Sequence, residues 1–309
     1  MTVQPVQQTG HEAQPPPSLL EKAALVLGAF QGSTPRLTLT EVVHRSGLPR
    51  SSVHRILDQL VQLRWLDRDG RDYRLGMRML ELGAMASHHN RLRRAALPHL
   101  HELHEKVGHV VHLAVIDGPE VVYLERIGGA ADCSVPSRTG GRQPAYCTGT
   151  GKAILAFADE ALVAEVLRSG LRPRTPYTIT RPRAFREELA RIRERGVAFD
   201  QEEAFRGVAC VGAPLRGSGR AIASISVCGN GVHRELERMA PAVLGTARAV
   251  WSALYGPGRA AAARSGSRPG ARAAGAARAA GNGSDAGAAA MAPAQMDTMM
   301  SWLRFAEWM

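Results

Sequence analysis

The apolar positions change period along the chain, and each change marks an element. Val53, Ile56, Leu57 and Leu60 recur at i, i+3, i+4 and i+7, which is one buried helical face. Ahead of them, Thr38-Leu39-Thr40-Glu41 has the spacing of a capping box and opens a short helix through Val42, Val43 and Ser46. Gly47 stops that helix, and Pro49 stands where a first helical turn tolerates a missing N–H. Upstream, Leu19, Leu20, Ala23, Ala24 and Leu27 make the apolar face of a first helix; downstream, Met77, Leu80 and Ala84 do the same on a fourth. Between the second pair, Trp65–Arg68 and Tyr73–Leu75 read as two short strands around the turn Asp69-Gly70-Arg71-Asp72.

Past the polar joint Ser87–Arg94 the pattern alternates between helix and strand. Helices are expected at Leu92–Val107, Gly151–Phe157, Asp159–Arg168 and Ala184–Arg195. Strands are expected at Val110–Ile116, Glu120–Arg126, Gly196–Phe199, Ala209–Pro214 and Ala221–Val227. This order predicts an α+β unit, an antiparallel sheet with helices to the side, rather than a parallel βαβ fold. Residues 1–17 form a Pro/Gln-rich leader. Residues 256–309 begin as an Ala/Gly/Arg/Ser/Pro-rich flexible tail and end in a short apolar segment around Met296, Met299, Met300 and Leu303. That segment reads as a helix docked on its own protein or loose, with partner or membrane docking as the alternative.

A short helix, a tight glycine turn, a second helix and a hairpin wing form the winged helix-turn-helix arrangement. On the polar face of the second helix, Arg50 and Arg55 reach for phosphates or guanine edges, and Ser51 and Ser52 allow close approach. His54 shares that face, Gln59 suits adenine or a phosphate, and Arg71 sits at the wing tip. The first and fourth helices carry more apolar surface than a 60-residue unit hides, which points to contact between two copies.

With these residues in place, the chain resembles the IclR family of bacterial transcriptional regulators. The resemblance rests on Ser46-Gly47-Leu48-Pro49-Arg50-Ser51-Ser52-Val53-His54-Arg55-Ile56-Leu57, on the wing ending Tyr73-Arg74-Leu75-Gly76, and on the unit that follows, about residues 19–255 in all. It implies a DNA-binding domain at 18–78, a linker helix at 79–92 and a GAF/PAS-like effector-binding domain at 93–255. It also implies a cytoplasmic regulator, more a repressor than an activator, that binds double-stranded operator DNA as a homodimer or dimer of dimers and answers a small organic or aromatic acid. The operator is expected to be an inverted repeat. No cofactor, metal or membrane partner is expected.

Two segments of the larger unit look like a pocket. Thr148-Gly149-Thr150-Gly151-Lys152 precedes an apolar helix, where free N–H groups at a helix start would suit a carboxylate or phosphate. It is not a P-loop, because Tyr146 and Ala153 stand where a Walker motif needs Gly and Ser or Thr. Strand alternation sends Ser224, Ser226 and Cys228 to one face, to bind a small acid or simply to pack closely. The family's effector positions carry over to Gly149, Thr150, Asp200, Cys210, Ser226 and Cys228. Cys228 replaces the family's usual second serine and donates hydrogen bonds more weakly. Thr150 replaces a small apolar residue and makes the loop narrower and more polar.

Composition then limits the alternatives. An apolar share of 45% excludes wholesale disorder, and no run of about 18 apolar residues exists to cross a membrane. The net charge of +11 is spread along the chain, so charge by itself does not locate a nucleic-acid surface. The four cysteines, Cys133, Cys147, Cys210 and Cys228, are far apart in sequence, which argues against a zinc ribbon or a disulfide scaffold and for a reducing compartment. Cys147 or Cys210 with a histidine is the candidate for a nucleophile, but no catalytic signature accompanies either. Seven histidines lie between His88 and His112, with His101 and His104 on one helical face beside Glu105. The alternative to a regulator is therefore a GAF-like sensor with enzymatic or metal-dependent activity and only non-specific DNA affinity.

Overall fold

In the computed structural model, which describes residues 17–31, 34–128 and 135–256, the chain divides into two units between Ala86 and Ser87. The leader (except Pro17), Cys133, the tail (except Gly256) and the apolar segment near Met296 lie outside the described residues.

The first unit opens with α1 (Leu19–Gly28), capped reciprocally by Ser18 and Glu21. The two-residue strand β1 (Leu37–Thr38) leads into α2 (Leu39–Ser46). The expected capping box is formed: Glu41 N donates to Thr38 Oγ1 at 3.3 Å, and Thr38 N donates to Glu41 Oε2 at 2.7 Å. Gly47 ends α2 with φ +67°, a left-handed conformation that costs glycine little. Pro49 is the N-cap of α3 (Arg50–Gln62), whose Val53, Ile56, Leu57 and Leu60 are all buried. The wing is β2 (Leu66–Asp69) and β3 (Asp72–Leu75), and β1 adds a third strand beside β3. On α1 the fully buried residue is Val26, whereas Leu19 and Leu20 are exposed, Leu20 at 83%. α4 (Met77–His89) buries none of its residues, and Met77, Leu80, Leu82 and Met85 are exposed.

The second unit follows the order α5 (Arg91–Val107), β4 (Val110–Asp117), β5 (Glu120–Ile127), β6 (Arg142–Pro144), α6 (Gly149–Leu155), α7 (Glu160–Ser169) and α8 (Pro182–Arg195). It closes with β7 (Ala198–Gln201), β8 (Val208–Leu215), β9 (Ala223–Asn230) and α9 (Leu236–Tyr255). All six strands form one antiparallel sheet, β6-β5-β4-β9-β8-β7. Strand alternation divides its core in two. Val111 and Leu113 of β4, Val211 and Ala213 of β8, and Ile225 and Val227 of β9 pack on α5 and α9. The opposite face packs on α6, α7 and α8 through residues such as Leu155, Val166, Phe185 and Leu189.

The antiparallel α+β unit and its strands were legible in sequence, whereas β1, β6 and α9 were not. Pro241 interrupts the pattern of α9, yet Leu236, Met239, Val243, Ala247, Val250 and Leu254 are buried at helical spacing.

Candidate functional site

The DNA-facing candidates occupy the outer side of α3 and the wing. Arg50, Ser51, His54, Arg55 and Gln59 are exposed, and Ser52 is half-buried. They are exposed because Val53, Ile56, Leu57 and Leu60 anchor the other face in the core. Arg50 Nη1 donates to Thr40 Oγ1 at 3.3 Å, which ties the start of α3 to α2. His54 Nδ1 lies 3.1 Å from Asp58 Oδ2, a carboxylate on the same helix that sequence reasoning did not single out. Gly70 turns the wing with φ +60° and leaves Arg71 exposed at its tip. Arg68, also unforeseen, stacks its guanidinium 5.4 Å from the Tyr73 ring centroid and donates to Gly70 O.

The six candidate effector residues, distant in sequence, converge on one cavity. Gly149 and Thr150 come from α6, Asp200 from β7, Cys210 from β8, and Ser226 and Cys228 from β9. Tyr123, Ser137, Gln143 and Phe205 are among the other residues of its wall and were not foreseen, because the fold and not the local pattern brings them there. Glycines allow the close approach: a Cβ on Gly212 would lie 2.5 Å from Gly149 O, so β8 touches the start of α6. The space open to the centre of a water molecule is about 20 Å³, room for one water. A benzoate-sized acid needs this wall to move.

The start of α6 differs from expectation. Gly149, Thr150, Gly151 and Lys152 are buried, and Gly151 N donates to Thr148 Oγ1 at 3.1 Å, so this N–H does not face outward. Lys152 is fully buried, with Nζ paired to Glu203 Oε1. Glu203 Oε2 has no hydrogen-bond partner among the described residues. Asp200 accepts from Glu203 N at 2.7 Å. Burial raises the Asp200 carboxyl to about 7, against the pull of Lys152. Burial likewise raises Glu203, with Lys152 opposing. The turn is held from outside by Thr175 Oγ1 donating to Glu202 O and Thr178 Oγ1 to Glu203 O, and Glu202 adopts φ +61°.

A polar chain lies behind Cys228. Its Sγ is 3.6 Å from Ser226 Oγ and 3.6 Å from His112 Nδ1. His112 Nε2 is 2.7 Å from Ser137 Oγ, which also accepts from Arg126 Nε at 3.2 Å. Burial, with Arg126 nearby, lowers His112 to about 3, so its ring is neutral.

The thiols require a correction. The spacing of the four cysteines argues against disulfides, yet Cys210 and Cys228 are joined by one, because β8 and β9 bring them opposite each other in register. Cys147 is buried and its thiol is pushed up to about 12, chiefly by burial, so it is not a thiolate at neutral pH. Among the described residues no group of three or more His, Cys, Asp or Glu side chains could hold a metal ion. His104 instead bonds His109 O through Nδ1, at 2.8 Å.

Two family models match the chain. "IclR helix-turn-helix domain" covers residues 19–70 and "Bacterial transcriptional regulator IclR C-terminal" covers 84–252. The HTH-type transcriptional regulator XynR of Escherichia coli is 33% identical over 67% of this chain and 84% of its own length. The Pca regulon regulatory protein of Pseudomonas putida is 30% identical over 77% and 84%. Among solved structures, an IclR homolog from Microbacterium hydrocarbonoxydans complexed with 4-hydroxybenzoate is similar with TM-score 0.68 and 30% identity, over 77% of this chain and 99% of that one. The IclR of Thermotoga maritima gives 0.60 and 30%, over 76% and 98%.

Proposed function

Since the chain belongs to the IclR family of bacterial transcriptional regulators, DNA-binding proteins with a C-terminal effector-binding domain, we propose that it is a cytoplasmic, non-enzymatic repressor released from its operator by a small aromatic or other organic acid. Arg50, Ser51, Ser52, His54, Arg55 and Gln59 enter the major groove, and Arg71 touches the flanking backbone. Gly149, Thr150, Asp200, Cys210, Ser226 and Cys228 hold the acid. Residues 18–78 act as the DNA-binding domain, 79–92 as the linker and 93–255 as the sensor. The exposed apolar residues of α1 and α4 are covered by a second copy, which pairs two recognition helices and calls for an inverted-repeat operator in a dimer or a dimer of dimers.

The observation that carries the reading is the convergence of six small or acidic residues, from four elements, on one buried cavity. The bound 4-hydroxybenzoate of the Microbacterium homologue supports the acid class. To move an operator from mostly occupied to mostly free, the effector must prefer one state by about 5 kcal/mol, spread over its sites.

The test is selection of bound duplexes from random DNA at about 150 mM salt, followed by release with aromatic carboxylates. An enriched inverted repeat that these acids release is expected. DNA retained without a motif would overturn the operator reading, and a motif that no carboxylate releases would overturn the effector class.

A further inference from the structure

Cys210 and Cys228 are partners across the β8–β9 ladder with Cα atoms 4.2 Å apart, as in a non-hydrogen-bonded antiparallel pair. Both side chains are buried in the cavity wall beside Ser226. A bridge here spans a sequence separation of 18 and joins strands that the ladder also holds together in the fold. In a reducing cytoplasm, disulfides are mostly transient, catalytic or redox-sensing. We propose that Cys210 and Cys228 are a reversible thiol pair that reacts with hydroperoxides, and that its oxidation state sets whether the cavity admits its acid effector. The second clause rests on the effector reading given above.

The surroundings suit the chemistry. An outer groove lined by Arg206, Gly207, Asn230 and Gly231 shares Pro136, Phe205 and Val208 with the cavity, so the cavity lies next to an open groove from which a small oxidant would come. Neutral His112 faces Cys228 Sγ with Nδ1 while Nε2 is engaged by Ser137, so in the reduced pair Nδ1 is the nitrogen able to accept a hydrogen bond from the thiol. The Cys228 sulfur attacks one peroxide oxygen, forming S–O and breaking O–O. The thiol proton is transferred to the departing oxygen, which leaves as water when the oxidant is hydrogen peroxide. The Cys210 sulfur then displaces the hydroxyl of the sulfenic acid; S–S forms, S–O breaks, and the Cys210 proton leaves with that hydroxyl as a second water. Two thiols lose two electrons and one peroxide gains them. A thiol reductant reverses the bond by exchange.

Oxidation affects the cavity in two ways. It removes the S–H that Cys228 offers, and it ties together the two wall residues next to Ser226. The bridged form described here has room for one water. Reduction obliges the two sulfurs to part to van der Waals separation, which moves the wall where the acid must fit.

The experiment uses the full chain, reduced with dithiothreitol, freed of reductant and treated with hydrogen peroxide. Free thiols are then blocked with N-ethylmaleimide and the linked peptides mapped by mass spectrometry. A Cys210–Cys228 link that forms with peroxide and disappears with dithiothreitol is expected; both cysteines remaining alkylatable, or Cys228 passing to a sulfinic acid, would overturn the proposal. In parallel, 4-hydroxybenzoate and related carboxylates are titrated against reduced and oxidised protein by thermal shift. At least tenfold weaker binding to the oxidised form is expected, with Cys228→Ser binding equally before and after peroxide. Equal binding to both forms of the unaltered chain would overturn the coupling. A reversible link with no carboxylate bound in either state would support the thiol chemistry and overturn the effector class instead.

Discussion

Asp200 gives the sharpest quantitative handle on the cavity. Its carboxyl is buried and titrates near 7, because burial outweighs the pull of Lys152. An acid effector is an anion at neutral pH, and a protonated Asp200 donates to it where a carboxylate would repel it. Between pH 8 and pH 6 the protonated fraction of a group titrating near 7 rises from about a tenth to about nine-tenths. Affinity for a carboxylate should therefore rise about tenfold, or about 1.4 kcal/mol, over that range. The effector's own carboxyl is ionised throughout. Of the other groups on the site, His112 is neutral down to about 3, Cys147 is protonated up to about 12, and burial raises Tyr123 above its ordinary value. Glu203 is the remaining rival, since its carboxyl is raised too.

Calorimetric titration of 4-hydroxybenzoate at pH 6, 7 and 8 reads the slope directly. Asp200→Asn should flatten it, and Glu203→Gln should keep a slope but move it to lower pH, because the Glu203 charge helps to raise Asp200 and engages the Lys152 that lowers it. A flat profile in the unaltered chain, an affinity that rises with pH, or a slope that survives Asp200→Asn would each refute the argument. The same shift fixes a stability trend. The folded chain keeps a proton that the unfolded chain releases above its ordinary value of 3.8, so the contribution of Asp200 to stability falls as pH rises from about 4 to about 7.

Three further outcomes are expected. Arg55→Ala should cost roughly 1–3 kcal/mol on the selected operator if Arg55 reads a base, measured by competition binding; equal loss on every sequence would move it to the phosphate backbone. Lys152→Met leaves Glu203 and Asp200 buried without their cation and should destabilise the fold by roughly 3–5 kcal/mol in urea unfolding; a change below about 1 kcal/mol would show that the pair is not a buried ion pair in solution. Leu80→Glu, on a helix that buries none of its residues, should shift the chain toward monomer in light scattering with its melting little changed; an unaltered mass would remove α4 from the contact between copies.

What the sequence discloses depends on how local each interaction is. The helix-turn-helix was legible almost to the residue, because a capping box, a left-handed glycine and a 3.6-residue stripe are all written within about 25 positions. The faces of β9 were legible for the same reason: alternation alone separates Ile225 and Val227 from Ser226 and Cys228. Alternation gives a face but not the strand opposite, and every surprise in the site comes from that gap. The Cys210–Cys228 bridge requires the β8–β9 register, and the Lys152–Glu203 pair joins residues 51 apart. The glycine loop illustrates the cost of reading locally. Gly-Thr-Gly-Lys at a helix start suggests an anion cradle, but a Cβ on Gly151 would overlap the Ala145 carbonyl, and Lys152 turns inward to Glu203. Gly151 is there to let α6 close against the turn that precedes it, and Lys152 to neutralise a buried acid. The cavity's polarity therefore falls to Asp200, Thr150 and the β9 side chains, whose protonation and oxidation the proposed experiments set one at a time.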